Sequence, residues 1–323
     1  MMNRKKVIFD TDPGIDDAMA LLFLHKSPQV ELVGITTGPG NGTIDVTTRN
    51  ALYLKERFGI SAPVARGAAG PLAGEAPPPA AFVHGQNALG DIPLPERVTT
   101  PPHELPAFRF IVETVRRNPG EISIVAVGRM TNLALALRED PEIVGLVEQV
   151  VIMGGAFGYH GHSGNVSPVS EANIHGDPLA ADEVFAAAWP LTVVGLDVTK
   201  QTRMSNAYLR SLADENPKIG PFIWEITRFY EKFHISRGVL DGIYVHDSSA
   251  VAFLLDPSLF VTRTGPIRVV MEGIAAGQTI QKADSLNLPH AGWDGRPSHA
   301  ICTDVDSPRL LALYRRVILG ETD

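Results

Sequence analysis

The chain lacks the features that mark several broad protein classes. It has one cysteine, Cys302, in 323 residues, so no internal disulfide framework can form, and a reducing, cytoplasmic setting is expected. No apolar run approaches the roughly 18 residues that a bilayer-spanning helix needs, so no membrane segment is expected. The basic start, MMNRKKVIFD, is followed by neither an apolar h-region nor a small-residue cleavage site, and no signal peptide is expected. Positive charge is in deficit, with 28 Lys and Arg against 36 Asp and Glu and a net charge of −8. That balance argues against nucleic acid as a partner and for small solutes. No internal repeat and no low-complexity tract is found.

What is present is ordinary globular composition, 44% apolar and 20% charged, long enough for one large α/β domain or two smaller ones. Val7–Phe9, Glu31–Thr37, Ile122–Val127, Gln149–Met153 and Leu191–Leu196 read as short buried strands bounded by Gly, Pro or Asp. Ile15, Met19, Leu22 and Phe23 recur at helical spacing, and Asp177-Pro178 is a good N-cap and first-turn pair for a helix over Leu179–Ala188. Strands alternating with helices predict an α/β fold, a mostly parallel central sheet flanked by helices. Nothing divides the chain by composition, so residues 1–323 are expected to form a single domain. Residues 69–102, rich in Pro, Gly and Ala, are too long for a simple connection and suggest a functional loop or lid. Residues 284–299 are a shorter stretch of the same kind.

The stretch VIFDTDPGIDDAMALL puts Asp10, Asp12, Asp16 and Asp17 within eight positions directly after an apolar run. Two unit charges 4 Å apart repel by about 4 kcal/mol at a surface-like dielectric, so the cluster needs an explanation. Local chemistry covers part of it: Asp12 can cap the helix beginning near Ile15, and Asp16 and Asp17 favour its positive end. Asp10 at the strand end and the Pro13-Gly14 turn are left over. Three functional readings compete. An EF-hand loop needs Asp or Asn fifth and Gly sixth, where this chain has Gly14 and Ile15. An aspartyl-phosphate phosphatase resembling the haloacid dehalogenases expects Thr or Val two residues after the second Asp, where Gly14 stands. A hard-cation site sharing carboxylates with distant residues fits best.

The string from Asp10 to Ala18, DTDPGIDDA, resembles the N-terminal signature of the inosine-uridine-preferring nucleoside hydrolase family. Further pieces follow in order: ITTGPGN ending at Asn41, VAVGRMTNLA at 125–134, VVIMGG at 150–155, GNVSPVSEANIHGDPLAA at 164–181 and VHDSSAVA at 245–252. The resemblance implies a Rossmann-like fold and Ca2+-dependent hydrolysis of the N-glycosidic bond of ribonucleosides, in nucleoside salvage, by a homotetramer or dimer. It implies metal ligation by Asp12, Asp17, the main-chain oxygen of Val127 and Asp247, with Asp10 in support. Asp16, Asn41, Asn165, Glu171, Asn173 and Asp247 are then expected on the sugar hydroxyls.

For catalysis the resemblance points to Asp12 as the base that takes a proton from water. His246 is the candidate on the leaving-base side, with His84 in the long loop as the second. Residues 228–240 correspond to a segment that closes over the base in relatives. Tyr230 is kept there, while His234 and Val239 stand where relatives often have tyrosines. With His246 present, pyrimidine or broad specificity is expected rather than strict purine preference. The family also leads one to expect a cis Pro13–Gly14 peptide. Two other readings stay open on the sequence: a nucleoside-binding protein without turnover, and the phosphatase.

Overall fold

The computed structural model describes residues 4–321. Its central sheet has eight strands, beginning with β1 (Lys5–Thr11), β2 (Val30–Thr37), β3 (Val64–Arg66), β4 (Ile122–Ala126), β5 (Val147–Met153) and β6 (Leu191–Val194). Their spatial order is β3-β2-β1-β4-β5-β6, continued by His299–Val305 and then Phe260–Gly265. Every pairing from β3 through His299–Val305 is parallel, and the edge strand Phe260–Gly265 runs antiparallel. The expected mostly parallel sheet is the one that forms.

The strands read as unbroken apolar runs because both sheet faces are covered. Val7, Phe9, Val125 and Val151 enter one apolar layer, while Ile8, Ile124, Val150 and Ile152 enter the other. This is the period-two alternation of a strand with helices on both sides. Boundaries shift slightly from expectation. β5 begins at Val147, and β6 ends at Val194 because Leu196 already opens a short helix, Leu196–Thr199.

Helix ends follow local chemistry. The Asp177 carboxylate accepts from the Ala180 amide at 3.1 Å and caps Pro178–Ala186, close to the expected helix. Helix Ile15–Lys26 starts after Gly14, whose N–H donates to Asp17 Oδ2 at 3.0 Å. It packs on helix Asp247–Leu255, and both are almost wholly buried. Two long-range elements therefore bring Asp16, Asp17 and Asp247 to helix starts in the interior. The expected cis Pro13–Gly14 bond is not found: the described peptide bonds are trans. Gly14 makes the turn with an ordinary φ of −103° at the helix N-cap.

Residues 69–102 form an irregular connection with one short helix, Ala81–His84. Most of the segment expected to close over the base is helical. Residues 228–236 are the last turns of helix Gly220–Ser236, whose buried side chains Phe222, Ile223, Ile226, Tyr230 and His234 recur at helical spacing. Among the described residues no helix is long and apolar enough to cross a membrane.

Asn132 ties the sheet together beneath the site. Its Nδ2 donates to Asp10 Oδ1 at 2.8 Å and to the Thr37 carbonyl at 3.0 Å, and its Oδ1 accepts from the Ala68 amide at 3.3 Å. Asn132→Ala strands these buried groups and is expected to cost about 2 kcal/mol. Urea unfolding measures it. A loss below about 0.5 kcal/mol, the level of a neutral surface change, would show that the clamp carries no stability.

Candidate active site

Five parallel strands, β1, β2, β4, β5 and β6, release their carboxyl ends along one sheet edge. β1 and β4 are neighbours at the point where the strand order reverses, the position where such sheets hold ligands. A cavity of about 480 Å³ opens there, of a size suited to a small molecule. Among its lining residues are Asp16, Asn41, His84, Val127, Asn165, Glu171, Asn173, Tyr230, His234, His246 and Asp247. Residues from most of the length of the chain thus converge on one hollow.

The aspartates divide by how they are partnered. Asp10 Oδ1 accepts from Thr36 Oγ1 at 2.5 Å and from Asn132, yet burial still pushes its carboxyl up to about 6. Asp17 is the best satisfied. Its Oδ1 accepts from Thr11 Oγ1 at 2.5 Å and the Asp12 amide at 3.1 Å, and its Oδ2 from the Gly14 amide and from Asn41 Nδ2 at 2.7 Å. Asp12 turns Oδ2 onto the Asn41 amide at 2.7 Å, while its buried Oδ1 has no partner. A Cβ at Gly40 would lie 2.0 Å from Asp12 Oδ2, and one at Gly128 2.7 Å from Oδ1, so glycine is what lets both loops close on this carboxylate. Asp16 Oδ2 accepts from the Tyr230 hydroxyl at 3.1 Å, and its Oδ1 is also buried without a hydrogen bond.

Carboxylate oxygens of Asp16, Asp17 and Asp247 lie within 4.8 Å of one another. Burial, then the neighbouring carboxylates Asp16, Asp17, Asp12 and Glu171, pushes Asp247 well above the carboxylate range. Burial and then Asp17 do the same to Asp12, and burial carries Asp16 to about 6. Orphaned buried oxygens beside a converging, all-oxygen donor set suit a hard divalent cation. The trio differs from the expected ligand set in one member: Asp16, expected on the sugar, stands in it, while Asp12 lies beside it, held by Asn41. The Val127 carbonyl accepts from Asn173 Nδ2 at 2.7 Å, which leaves it a second lone pair.

Among the residues expected on the sugar, Glu171 caps the short helix Ala172–Gly176. Its Oε2 accepts from the amides of Gly155, Asn173 and Ile174 at 2.9, 3.0 and 3.2 Å. Asn165 is exposed at the cavity rim and accepts from the Ala172 amide at 3.0 Å. The histidines face the other wall. His84 Nδ1 accepts from the Ile15 amide at 3.2 Å, and its ring stacks on Tyr230 with centroids 5.4 Å apart. His246 Nδ1 lies 2.8 Å from Thr199 Oγ1. His234 has both nitrogens on main chain: Nδ1 donates to the Tyr230 carbonyl at 2.9 Å and Nε2 accepts from the Tyr244 amide at 3.3 Å. Burial pushes His84 and His234 down to about 4, and His246 well below the imidazole range.

The sequence reading passed over two residues. Arg129, within the quoted VAVGRMTNLA, is buried with Nη1 unpartnered, and its charge acts on Asp12 and Asp177. A charged residue directly after Gly128 in an otherwise apolar segment was its signal. Thr199 is fully buried, with its hydroxyl on His246 Nδ1.

A family profile described as "Inosine-uridine preferring nucleoside hydrolase" matches residues 7–312. The chain belongs to this nucleoside hydrolase family. It is a ribonucleoside hydrolase, an N-glycosidase, in a metal-dependent family. It is 42% identical over 281 residues to uridine nucleosidase 1 of Arabidopsis thaliana, covering 85% of this chain and 81% of that one. A solved plant nucleoside hydrolase, the PpNRh1 enzyme, superposes with a TM-score of 0.93 at 38% identity, over 98% of this chain and 99% of that one. A purine-preferring ribonucleoside hydrolase from Gardnerella vaginalis gives 0.90 at 35% identity, over 98% of each chain.

The acidic site of this nucleoside hydrolase makes stability depend on pH and metal together. Asp10 and Asp16 titrate near 3.8 when unfolded and about 6 when folded. On these two groups the metal-free fold therefore holds extra protons between those values, and what they add to its stability is full below the lower one and is lost as pH rises through the upper one. Burial pushes His84 and His234 the opposite way, to about 4, so these rings add stability as pH rises through the same window, and the acidic site is read from the cation-induced change in melting temperature. Added divalent cation should raise the melting temperature most at the neutral end, where it no longer competes with protons. Scanning calorimetry across pH checks this, and a cation-induced gain that is larger at acid pH would contradict it.

Proposed function

We propose that the enzyme is Ca2+-dependent and acts on pyrimidine ribonucleosides or on both base classes. The observation that carries this reading is the trio of carboxylates at 4.8 Å, with two orphaned oxygens beside it, on the wall of a nucleoside-sized cavity. Asp16, Asp17 and Asp247 would hold the cation, with Asp12 and the Val127 carbonyl adjoining. Several flexible oxygen donors favour Ca2+ over the stricter Mg2+. The bound ion would supply Lewis-acid polarisation of water and a grip on a sugar diol.

The chain's own groups then divide the work. Asp12 takes the proton of the attacking water through its free Oδ1, while the Asn41 amide fixes Oδ2. Asn41, Asn165, Glu171, Asn173 and Asp247 surround the sugar, so a deoxy sugar leaves buried polar groups unpaired. Positive charge developing at C1′ in an oxocarbenium-like state is met by Asp16 and Asp247. His246 hydrogen-bonds the departing base, with His84 and Tyr230 beside it. The base preference rests on His246 and on the absence of tryptophan from the cavity lining among the described residues. The printed name of the Arabidopsis relative, a uridine nucleosidase, supports it. From the resemblance we carry over a cytoplasmic role in nucleoside salvage and a dimeric or tetrameric state.

Ribose release from uridine, inosine and 2′-deoxyuridine, with and without a Ca2+ chelator, tests the reading. Uridine should be cleaved, chelation should abolish turnover, and the deoxy substrate should lose about 10³-fold in kcat/KM. Asp12→Asn should lower kcat by about 10³-fold with a small change in KM. Tight uridine binding with no ribose would favour a binding protein. Mg2+-dependent phosphate release that needs Asp10 rather than Asp12 would favour a phosphatase.

A further inference from the structure

Thr199 closes the short helix Leu196–Thr199 after β6, and its side chain is fully buried. Among the described residues the hydroxyl has one hydrogen-bond partner, His246 Nδ1 at 2.8 Å. A buried O–H that donates to nothing costs about 1–3 kcal/mol, so the proton lies toward the ring nitrogen and Nδ1 accepts. A neutral imidazole that accepts at Nδ1 carries its hydrogen on Nε2. Among the described residues His246 Nε2 has no hydrogen-bond partner, and it is not one of the buried atoms left without one, so it opens to the cavity that His246 lines.

The neighbouring histidines sharpen the contrast. The Ile15 amide donates to His84 Nδ1 and leaves that ring, too, with an Nε2 hydrogen. His234 is arranged the other way, with Nδ1 donating and Nε2 accepting, and both nitrogens are spent on main chain. Each tautomer is thus set by a different partner, and at His246 that partner is a side chain that can be changed.

We propose that Thr199 is a positioning residue for the leaving base, holding His246 as the tautomer that presents an Nε2–H donor to it. The inference rests on the reading of His246 given above. As the C1′–N bond breaks, its electron pair goes to the base, and the Nε2–H hydrogen-bonds an acceptor on that base without itself transferring. Water adds its oxygen to C1′ and gives its proton to Asp12, and one proton returns to the base on release, so the reaction balances. A base with a carbonyl or ring-nitrogen acceptor near the sugar is what this donor can serve.

The test compares Thr199→Val, Thr199→Ser and His246→Ala, each calcium-loaded, on uridine and on p-nitrophenyl β-D-ribofuranoside, whose phenolate departs with little help. Thr199→Val should lower kcat/KM for uridine about tenfold, the worth of one well-placed hydrogen bond, with a much smaller loss on the nitrophenyl riboside. Thr199→Ser should restore most of the uridine activity. 15N chemical shifts of labelled histidine should show the His246 hydrogen on Nε2 in the parent and moved or averaged in Thr199→Val. If His246→Ala cleaves uridine normally, the reading of His246 fails. If His246→Ala is impaired while Thr199→Val is normal, or Thr199→Val loses both substrates equally, the role of Thr199 is overturned and that of His246 stands.

Discussion

Carboxylate repulsion at the carboxyl edge of the sheet is the constraint on which the rest of the site depends. Asp10, Asp12, Asp16, Asp17, Glu171 and Asp247 have all been carried upward in pKa, with burial the leading cause in each. Two charges at the 4.8 Å of the trio repel by about 3 kcal/mol at an effective dielectric of about 20. Helix N-termini return about 0.3–1 kcal/mol each, too little to offset several such pairs. Hydrogen bonds settle Asp10, Asp17 and Glu171 but leave one oxygen of Asp12 and one of Asp16 bare. The remaining imbalance can be met by protons or by a cation, and at neutral pH a cation is the stronger competitor.

The scaffold makes that crowding possible. Helices Ile15–Lys26 and Asp247–Leu255 lie against each other inside the molecule, so their first turns cannot drift apart without opening the core. Asn132 spans β1, β2 and the residues after β3, and Gly40 and Gly128 admit the loops to contact with Asp12. On the proposed reading this rigidity serves function, because a site that binds an ion and a diol together needs its oxygens held before either arrives.

Features with a local cause could be read from the sequence. The apolar runs of β1, β4 and β5, the helix at Ile15 and the Asp177-Pro178 cap each follow from a few adjacent residues. The convergence of Asp17 and Asp247 came from motif resemblance, since no local rule joins positions 230 residues apart. The misses are tertiary. Leu196 has strand composition but begins a helix. The closing role of residues 228–240 came from the resemblance, and the buried stripe of helix Gly220–Ser236 that includes Tyr230 and His234 is hidden in the sequence among polar neighbours. What a sequence does not carry is the partner of each side chain: Asp12 and Asp16 share one signature, yet Asn41 holds Asp12 while Tyr230 holds Asp16. Arg129 and Thr199 became visible once their buried partners, or the lack of them, could be counted.

The two walls of the cavity solve opposite problems. On the proposed reading the acidic wall concentrates charge and holds an ion, so a second cation facing it on the base side would weaken that ion's binding. Burial holds His84, His234 and His246 neutral, which removes this conflict. The cost is that the base side must work through N–H dipoles rather than full charges, and a dipole helps only when it points the right way. Orientation of the imidazoles therefore matters more than their protonation. The Ile15 amide at His84, the Thr199 hydroxyl at His246 and the two main-chain contacts of His234 supply that orientation. Ile15 opens the helix whose first turn carries Asp16 and Asp17, so the acidic wall and His84, proposed on the leaving-base side, are set by the same few residues, and a shift in one carries to the other.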